Sequence, residues 1–485
     1  MDKTFNNYNH LGFSKKFYFF KKNEISLISS FKDSINLIDE RSIDPVAITE
    51  FINRFYFFGD RTAIKRLMSI PWLSKIENQQ WIHDKLSIVN NNIKSETDFM
   101  VGFLDRSQKE IKSYIAGKKN IGILLTGGMD SRVVAAILNK IIKDESLEVK
   151  VRGLTWGMNN SRDILYAKRI CELYNWEFKQ FDITPTLLKE NIDIAANYGC
   201  MFSAVHLHAM KDVSKQTDLD IILAASFGDS IGRAEYSGVH ASNLKSIRKN
   251  ISNKFFLLKN QIFKDSIENM KNDIYKYYNL FPTSNKILRF ELEEQIHYMR
   301  NELNPCFSII NEKIEVQQVF TSPNVYNYVF STNLKYRNDR MYYNLLNEID
   351  SRLLAIPWAR TGKVYLSDGP VQDNYSSEYH NYGMWIRKDL HDYIDSLVFN
   401  GNLERLNIFN MDSLKNIITI NKKYGSNRTN RIDQLLIWLA SLSVMIDKYD
   451  IKGLNINTSS SLDKVYGKLI SRLYSFLYLF IVRRK

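Results

Sequence analysis

The stretch Ile121-Gly122-Ile123-Leu124-Leu125-Thr126-Gly127-Gly128-Met129-Asp130-Ser131-Arg132 constrains this chain more than any other. It reads as a buried strand that enters a diglycine loop and continues directly into a helix. Ile121 to Leu125 carries almost no polar side chain, as suits a central parallel strand, and Val133, Val134, Ala135, Ile137 and Leu138 extend the helix with one wide apolar face. Gly127 and Gly128 let the backbone approach an anion closely, and the first amides of the helix point at it. Thr126 and Ser131 add hydroxyl donors, and Asp130 supplies a carboxylate where magnesium would bridge phosphates. The Gly-Lys-Ser/Thr ending of a Walker A loop is absent, and an aspartate stands where that loop has lysine. A diglycine turn without a ligand is the plain alternative.

Downstream, Val149 to Trp156 reads as a second strand, Asp163 to Tyr174 as a helix, Trp176 to Ile183 as a third strand, Leu187 to Asn197 as another helix, and Asp220 to Ala225 as a fourth strand. Strands separated by helical segments predict an α/β fold with a doubly wound parallel sheet, whose ligands sit beyond the carboxyl ends of the strands. Asp130 and Asp229 both fall just past such ends. Ser246 to Tyr278 and Arg289 to Asn301 read as additional helices over the sheet or beside the site, and Leu435 to Ala440 as part of a buried helix.

The loop resembles the S-G-G-x-D-S signature of the PP-loop ATP pyrophosphatases, with Thr126 in place of the first serine. Leu223-Ala224-Ala225-Ser226-Phe227-Gly228-Asp229-Ser230 is similar to the G-E-G-x-D-E element of the asparagine synthetase family. Asp163 with Tyr166-Ala167 resembles its D-E-x-x-Y-A helix start, and Leu354 to Lys363 its L-P-x-x-x-W-R-x-K element. Ile48 to Arg66, containing Phe58-Gly59-Asp60-Arg61-Thr62, resembles the linker ahead of the synthetase domain, so the matches run in family order. The resemblance implies an adenine nucleotide α-hydrolase-like domain over 101–370, preceded by a truncated remnant or linker over 1–100 and followed by a helical extension over 371–485.

It also implies ATP and magnesium. Leu124, Thr126, Gly127, Gly128, Asp130, Ser131 and Thr155 would bind the nucleotide, with adenine against the strand ends near Leu124 and Leu154 to Thr155. Asp130 and Asp229 would hold metal, with Asp229 and Lys363 as the catalytic residues; Arg360 reads equally as a phosphate ligand or an ion-pair partner. The implied activity is ATP-dependent amide formation. A carboxylate is adenylated, pyrophosphate leaves, and ammonia or an amine displaces AMP, as in asparagine biosynthesis or in amidation of a uronic acid of a surface polysaccharide.

Two departures bear on that activity. Family members open with a glutaminase whose nucleophile is a cysteine at position two, whereas here Asp2 stands there and the earliest cysteine is Cys171. The expected nitrogen source is therefore a separate glutaminase, free ammonia or an amine substrate. Ser226 occupies the place of the glutamate that serves as base, a role a hydroxyl cannot fill near neutral pH, and Ser230 replaces the last acidic residue. Glu235 and Asp212 lie nearby in sequence as candidates to compensate, although neither matches a family position. A PP-loop enzyme acting on RNA and a noncatalytic ATP-binding descendant remain as other readings. His206 and His208, near Cys200, match no zinc spacing and read as packed histidines.

Lys plus Arg exceeds Asp plus Glu by 66 − 53 = 13, but the positive charge is spread thinly and no nucleic-acid partner is expected. Three cysteines without paired spacing, and no apolar signal segment, predict a reducing, cytoplasmic setting. Leu473 to Val482 is an apolar, aromatic-rich run between Arg472 and Arg483-Arg484-Lys485, too short to span a bilayer. Resting on a membrane surface, docking on a partner and packing on its own domain are all open to it.

Overall fold

The computed structural model describes residues 17–21, 24–83, 93–303, 305–426, 428–455 and 460–483. Its centre is a five-stranded sheet of β1 (Asn120–Leu124), β2 (Lys150–Trp156), β3 (Glu177–Phe181), β4 (Ile221–Ala224) and β5 (Val316–Gln318). Every pairing in it is parallel and the spatial order is β5-β4-β1-β2-β3. This is the doubly wound α/β sheet expected from the sequence. The order reverses between β1 and β4, and the crevice at their carboxyl ends is where such sheets take ligands.

The apolar runs of these strands follow from burial on both faces. Ile121, Ile123, Ile221 and Leu223 enter one core together with Val133, Val134 and Ile137 of α1 (Met129–Asp144) and Ala167 and Ile170 of α2 (Arg162–Tyr174). Leu124, Leu154, Ile222 and Ala224 enter a second core on the opposite face, beneath Leu188, Ile192 and Ala195 of α3 (Pro185–Asn197). Thr184 caps α3 by accepting the Leu187 N–H, and Pro185 occupies its first turn, where a missing N–H costs nothing. β5 has only three residues and lies at the sheet edge, so neither length nor alternation marks it in the sequence.

The second core extends well beyond the sheet. The helix Pro45–Arg54, capped by Asp44, lays Phe51 flat on Trp438 of α4 (Arg431–Lys448), with ring centroids 3.9 Å apart and planes 10° from parallel. Leu435 to Ala440 are buried within α4, as anticipated. The segment that resembles a linker is tied in by charge: Asp60 is buried against Arg300 at 3.1 Å and Lys276 at 2.5 Å. Helices also form over Asn260–Leu280 and Lys286–Glu293. Among the described residues, no helix is long and apolar enough to cross a membrane.

Candidate active site

The diglycine loop holds its own shape. The Ser131 hydroxyl donates to the Thr126 carbonyl at 3.1 Å and accepts the Thr126 N–H at 3.2 Å, while Thr126 Oγ1 accepts the Gly128 N–H at 3.1 Å. A Cβ on Gly127 would stand 2.7 Å from Ala359 Cβ and 3.0 Å from the Tyr166 ring, so only glycine fits between them. The Gly127 N–H donates to Asp163, whose carboxyl is pushed up to about 6 by burial, and its carbonyl accepts the Ala359 N–H at 3.1 Å. Over Gly128 the space is open, and an added Cβ would approach only Thr126 Oγ1, at 3.0 Å. No side chain caps the first turn of α1, which leaves its orphan amides to whatever occupies that space.

A buried arginine braces the loop from behind. Arg132 donates from Nη1 to the carbonyls of Leu353 (2.9 Å) and Ile356 (2.6 Å), and from Nη2 to those of Gly127 (3.1 Å) and Pro357 (2.9 Å). Burial pulls its guanidinium down to about 10, still charged at neutral pH. Arg132 and the Ala359 amide thereby dock the segment 353–359 onto the loop. Beyond that, Lys363 closes a turn, its carbonyl accepting the Trp358 N–H at 2.8 Å, and it lies outside the residues lining the adjacent cavity.

Asp130 and Asp229 come together across Gly228. After β4 the chain turns through Phe227, in the left-handed region at φ 72°, into the short helix Gly228–Gly232. A Cβ on Gly228 would lie 2.6 Å from Asp130 Cβ and 2.7 Å from its carboxyl group, so the absent side chain is what lets Asp130 lie there. Burial, and next the negative charge of Asp130, push the Asp229 carboxyl up to about 7. Burial also raises Asp130, against the pull of Arg233, whose Nε is 3.7 Å from Asp130 Oδ1. That oxygen is buried and has no hydrogen-bond partner.

Arg233 continues to Glu235 at 3.1 Å and Asp339 at 3.0 Å, and Glu235 also receives Arg360 at 2.5 Å, so Arg360 is an ion-pair partner here. Asp212 is elsewhere, paired with Lys215 at 2.6 Å. Four carboxylates (Asp130, Asp229, Glu235, Asp339) thus face two guanidiniums next to the open diglycine loop. A polyphosphate placed there would need a divalent cation between itself and the acids. Among the described residues no group of three or more His, Cys, Asp or Glu side chains forms a metal cage. Two carboxylates with substrate phosphates completing the shell is, however, how magnesium is commonly held, and the orphaned Asp130 oxygen fits that role.

Beside the loop lies a cavity of about 280 Å³. Thr126, Gly128, Asp130, Ser131 and Ser226 line its polar part, and Leu124, Trp156, Met210, Ala225, Phe227 and Phe307 its apolar part. Thr155 precedes Trp156 at the end of β2, fully buried, with Oγ1 lacking a partner. His208 stacks on Trp156 at 5.9 Å and bonds Tyr382 through Nδ1 at 2.9 Å, and burial holds it well below its ordinary range, a packed neutral imidazole. His206 does more. It lines the cavity, and its Nε2 lies 3.3 Å from Glu302. Glu302 lines a second cavity of about 290 Å³ together with Arg54, Tyr56, Glu294, Tyr298 and Arg431.

Arg233, Asp339 and the His206–Glu302 pair carry no pattern that a single sequence exposes. Arg132 carried one: an arginine at the head of an otherwise apolar helical face is a polar group that must find buried partners.

No protein-family model matches the chain. It is 33% identical over 63 residues to asparagine synthetase (glutamine-hydrolyzing) of Gallus gallus, and 34% identical over 62 residues to that of Homo sapiens. Each match covers 13% of this chain and 11% of the relative's length. Among solved structures it is similar to the U34-tRNA thiolase NcsA from Methanococcus maripaludis with its 4Fe-4S cluster (TM-score 0.26, 12% identity, 68% of this chain and 79% of that one). It is also similar to NMN synthetase from Francisella tularensis (TM-score 0.22, 13% identity, 43% and 96%). The fold assignment rests on the strand order itself.

Proposed function

We propose that the chain is an ATP-dependent amide-forming ligase that adenylates a carboxylate and passes the acyl group to ammonia or an amine. The observation that carries this reading is the meeting of Asp130 and Asp229 over Gly228, beside an open diglycine loop and a half-apolar cavity. The nucleotide's base and ribose suit the apolar part, against Leu124 and Trp156, and its phosphates suit the Gly128 side, where the α1 amides receive negative charge. Magnesium held by Asp130 and Asp229 would screen the phosphates from those acids. The substrate carboxylate oxygen attacks the α-phosphorus as the bond to the β-phosphate oxygen breaks, releasing pyrophosphate. The nitrogen then bonds to the acyl carbon, AMP departs with its oxygen, and one proton must leave the nitrogen.

Ser226 cannot take that proton. His206, whose Nε2 lies 3.3 Å from Glu302 and which lines the first cavity while Glu302 lines the second, is the base this reading assigns, with the second cavity receiving the acceptor. Local likeness to asparagine synthetases supports the amide chemistry; a uronic acid as the acid substrate and a separate glutaminase as nitrogen source are finer forms of the same reading. Lys363, through the family resemblance, is assigned to offset charge on the leaving group.

The test is pyrophosphate and AMP release from ATP across a carboxylate panel with ammonium present. The native chain should release both. Asp130→Asn and Asp229→Asn should each lose about a hundredfold or more. His206→Gln should keep carboxylate-dependent exchange of pyrophosphate into ATP while losing amide. Release of ADP and phosphate instead, or turnover indifferent to both aspartates, would remove the proposal.

A further inference from the structure

The last helix, α5 (Ser471–Arg483), has its polarity reversed relative to an ordinary surface helix. Its inward face includes two small polar residues. Ser471 and Ser475 are fully buried, their hydroxyls donating to the carbonyls of Gly467 and Ser471, each at 2.7 Å. From the helix Met411–Tyr424, Asn416 Nδ2 donates to the Gly467 carbonyl at 2.6 Å and to Ser471 Oγ at 2.9 Å. Among the described residues Leu479 is buried along this face, and Tyr478 packs partly buried against the same core. The outward face is apolar, with Leu473, Leu477 and Ile481 at helical spacing 59%, 49% and 56% exposed.

Counting from Leu462, this segment carries ten of the twenty exposed large apolar side chains found among the described residues. A helix packed on its own protein turns such residues inward, and water-soluble monomers rarely gather so many in one patch. The exposed charges of the segment all have one sign. Lys464, Lys468 and Arg472 point to solvent, while its acid, Asp463, is buried as the partner in the capping box of Ser460. At 13 residues α5 is about 20 Å long, too short to cross a bilayer.

We infer that α5 lies flat on an anionic lipid bilayer. Leu473, Leu477 and Ile481 enter the boundary between headgroups and acyl chains, and Lys464, Lys468 and Arg472 meet the lipid phosphates. Charge complementarity selects this occupant: the segment presents exposed cations beside its apolar face while its acid is turned inward, a pattern that an anionic surface matches.

Co-sedimentation of the full chain with vesicles of phosphatidylcholine, with and without phosphatidylglycerol, tests this. The native chain should sediment strongly only with the anionic vesicles, and less as salt rises. Reversing Lys464, Lys468 and Arg472 to Glu should weaken that binding by at least about fivefold per site. Leu473→Ser/Leu477→Ser/Ile481→Ser alters only exposed side chains, so its circular dichroism should match the native chain while vesicle binding is lost. A native chain that stays in the supernatant with anionic vesicles overturns the inference. So does binding that ignores the charge reversals, or a native dimer that the triple serine variant converts to monomer while lipid binds neither form.

Discussion

Gly228→Ala is the most discriminating perturbation of the site. Gly228 sits in the first turn of a helix, not in the left-handed region, so alanine carries no backbone penalty there and gains up to about 1 kcal/mol in helix propensity. The new methyl would stand 2.6 Å from Asp130 Cβ, whereas carbon atoms rest about 3.5–4.0 Å apart, so Asp130 must retreat by about 1 Å. Overpacking of this kind costs about 1–3 kcal/mol, leaving a net loss of stability of about 0–3 kcal/mol. A group essential to reaction and displaced by about 1 Å costs on the order of a hundredfold in rate. The expected outcome is a folded protein with pyrophosphate release down about a hundredfold. Urea unfolding of Gly228→Ala, Asp130→Gly and the double variant closes the cycle. Because Asp130→Gly removes the obstructing atoms, the two changes should couple by about 1–3 kcal/mol. If their effects add to within about 0.5 kcal/mol, Gly228 does not make room for Asp130, and the account of how the two acids meet is wrong.

Arg132→Met should cost at least about 3 kcal/mol in urea unfolding, because four carbonyls lose a charged donor in the interior, and Arg132→Lys should recover only part of it. Asp163 keeps its proton to about pH 6 in the folded chain but loses it near about pH 4 when unfolded. Its contribution therefore declines as pH rises from about 4 to about 6 and is flat above. In Asp163→Asn the amide oxygen still accepts the Gly127 N–H, so the melting temperature of the native chain minus that of the variant should fall across this window. A difference that rises with pH would contradict the burial argument.

Much of the diglycine-loop side of the site was legible because its signals are local. β1, the diglycine loop and α1 are contiguous, and β2, β3 and β4 differ from their expected bounds by one or two residues at most ends. Asp229 was placed past β4 by the same reading. The rest is assembled from a distance. The loop's brace runs from Arg132 to carbonyls more than two hundred residues away, and Arg233 serves Asp130 on one side and Asp339 on the other. β5 was missed because three residues at an edge show no period, and its partner β4 supplies the pairing. Ser226 is a departure that the sequence shows locally, whereas the approach of Glu302 to His206 at 3.3 Å joins segments far apart in the chain and leaves no local sign.

The flat contact between Phe51 and Trp438 has a consequence for how the molecule is made. Rings nearly four hundred positions apart close over the layer that contains α3, so the outer side of α3 stays bare until α4 has left the ribosome. A truncation ending before Trp438 would emerge with its diglycine loop intact in sequence and with a wall of the molecule missing behind it.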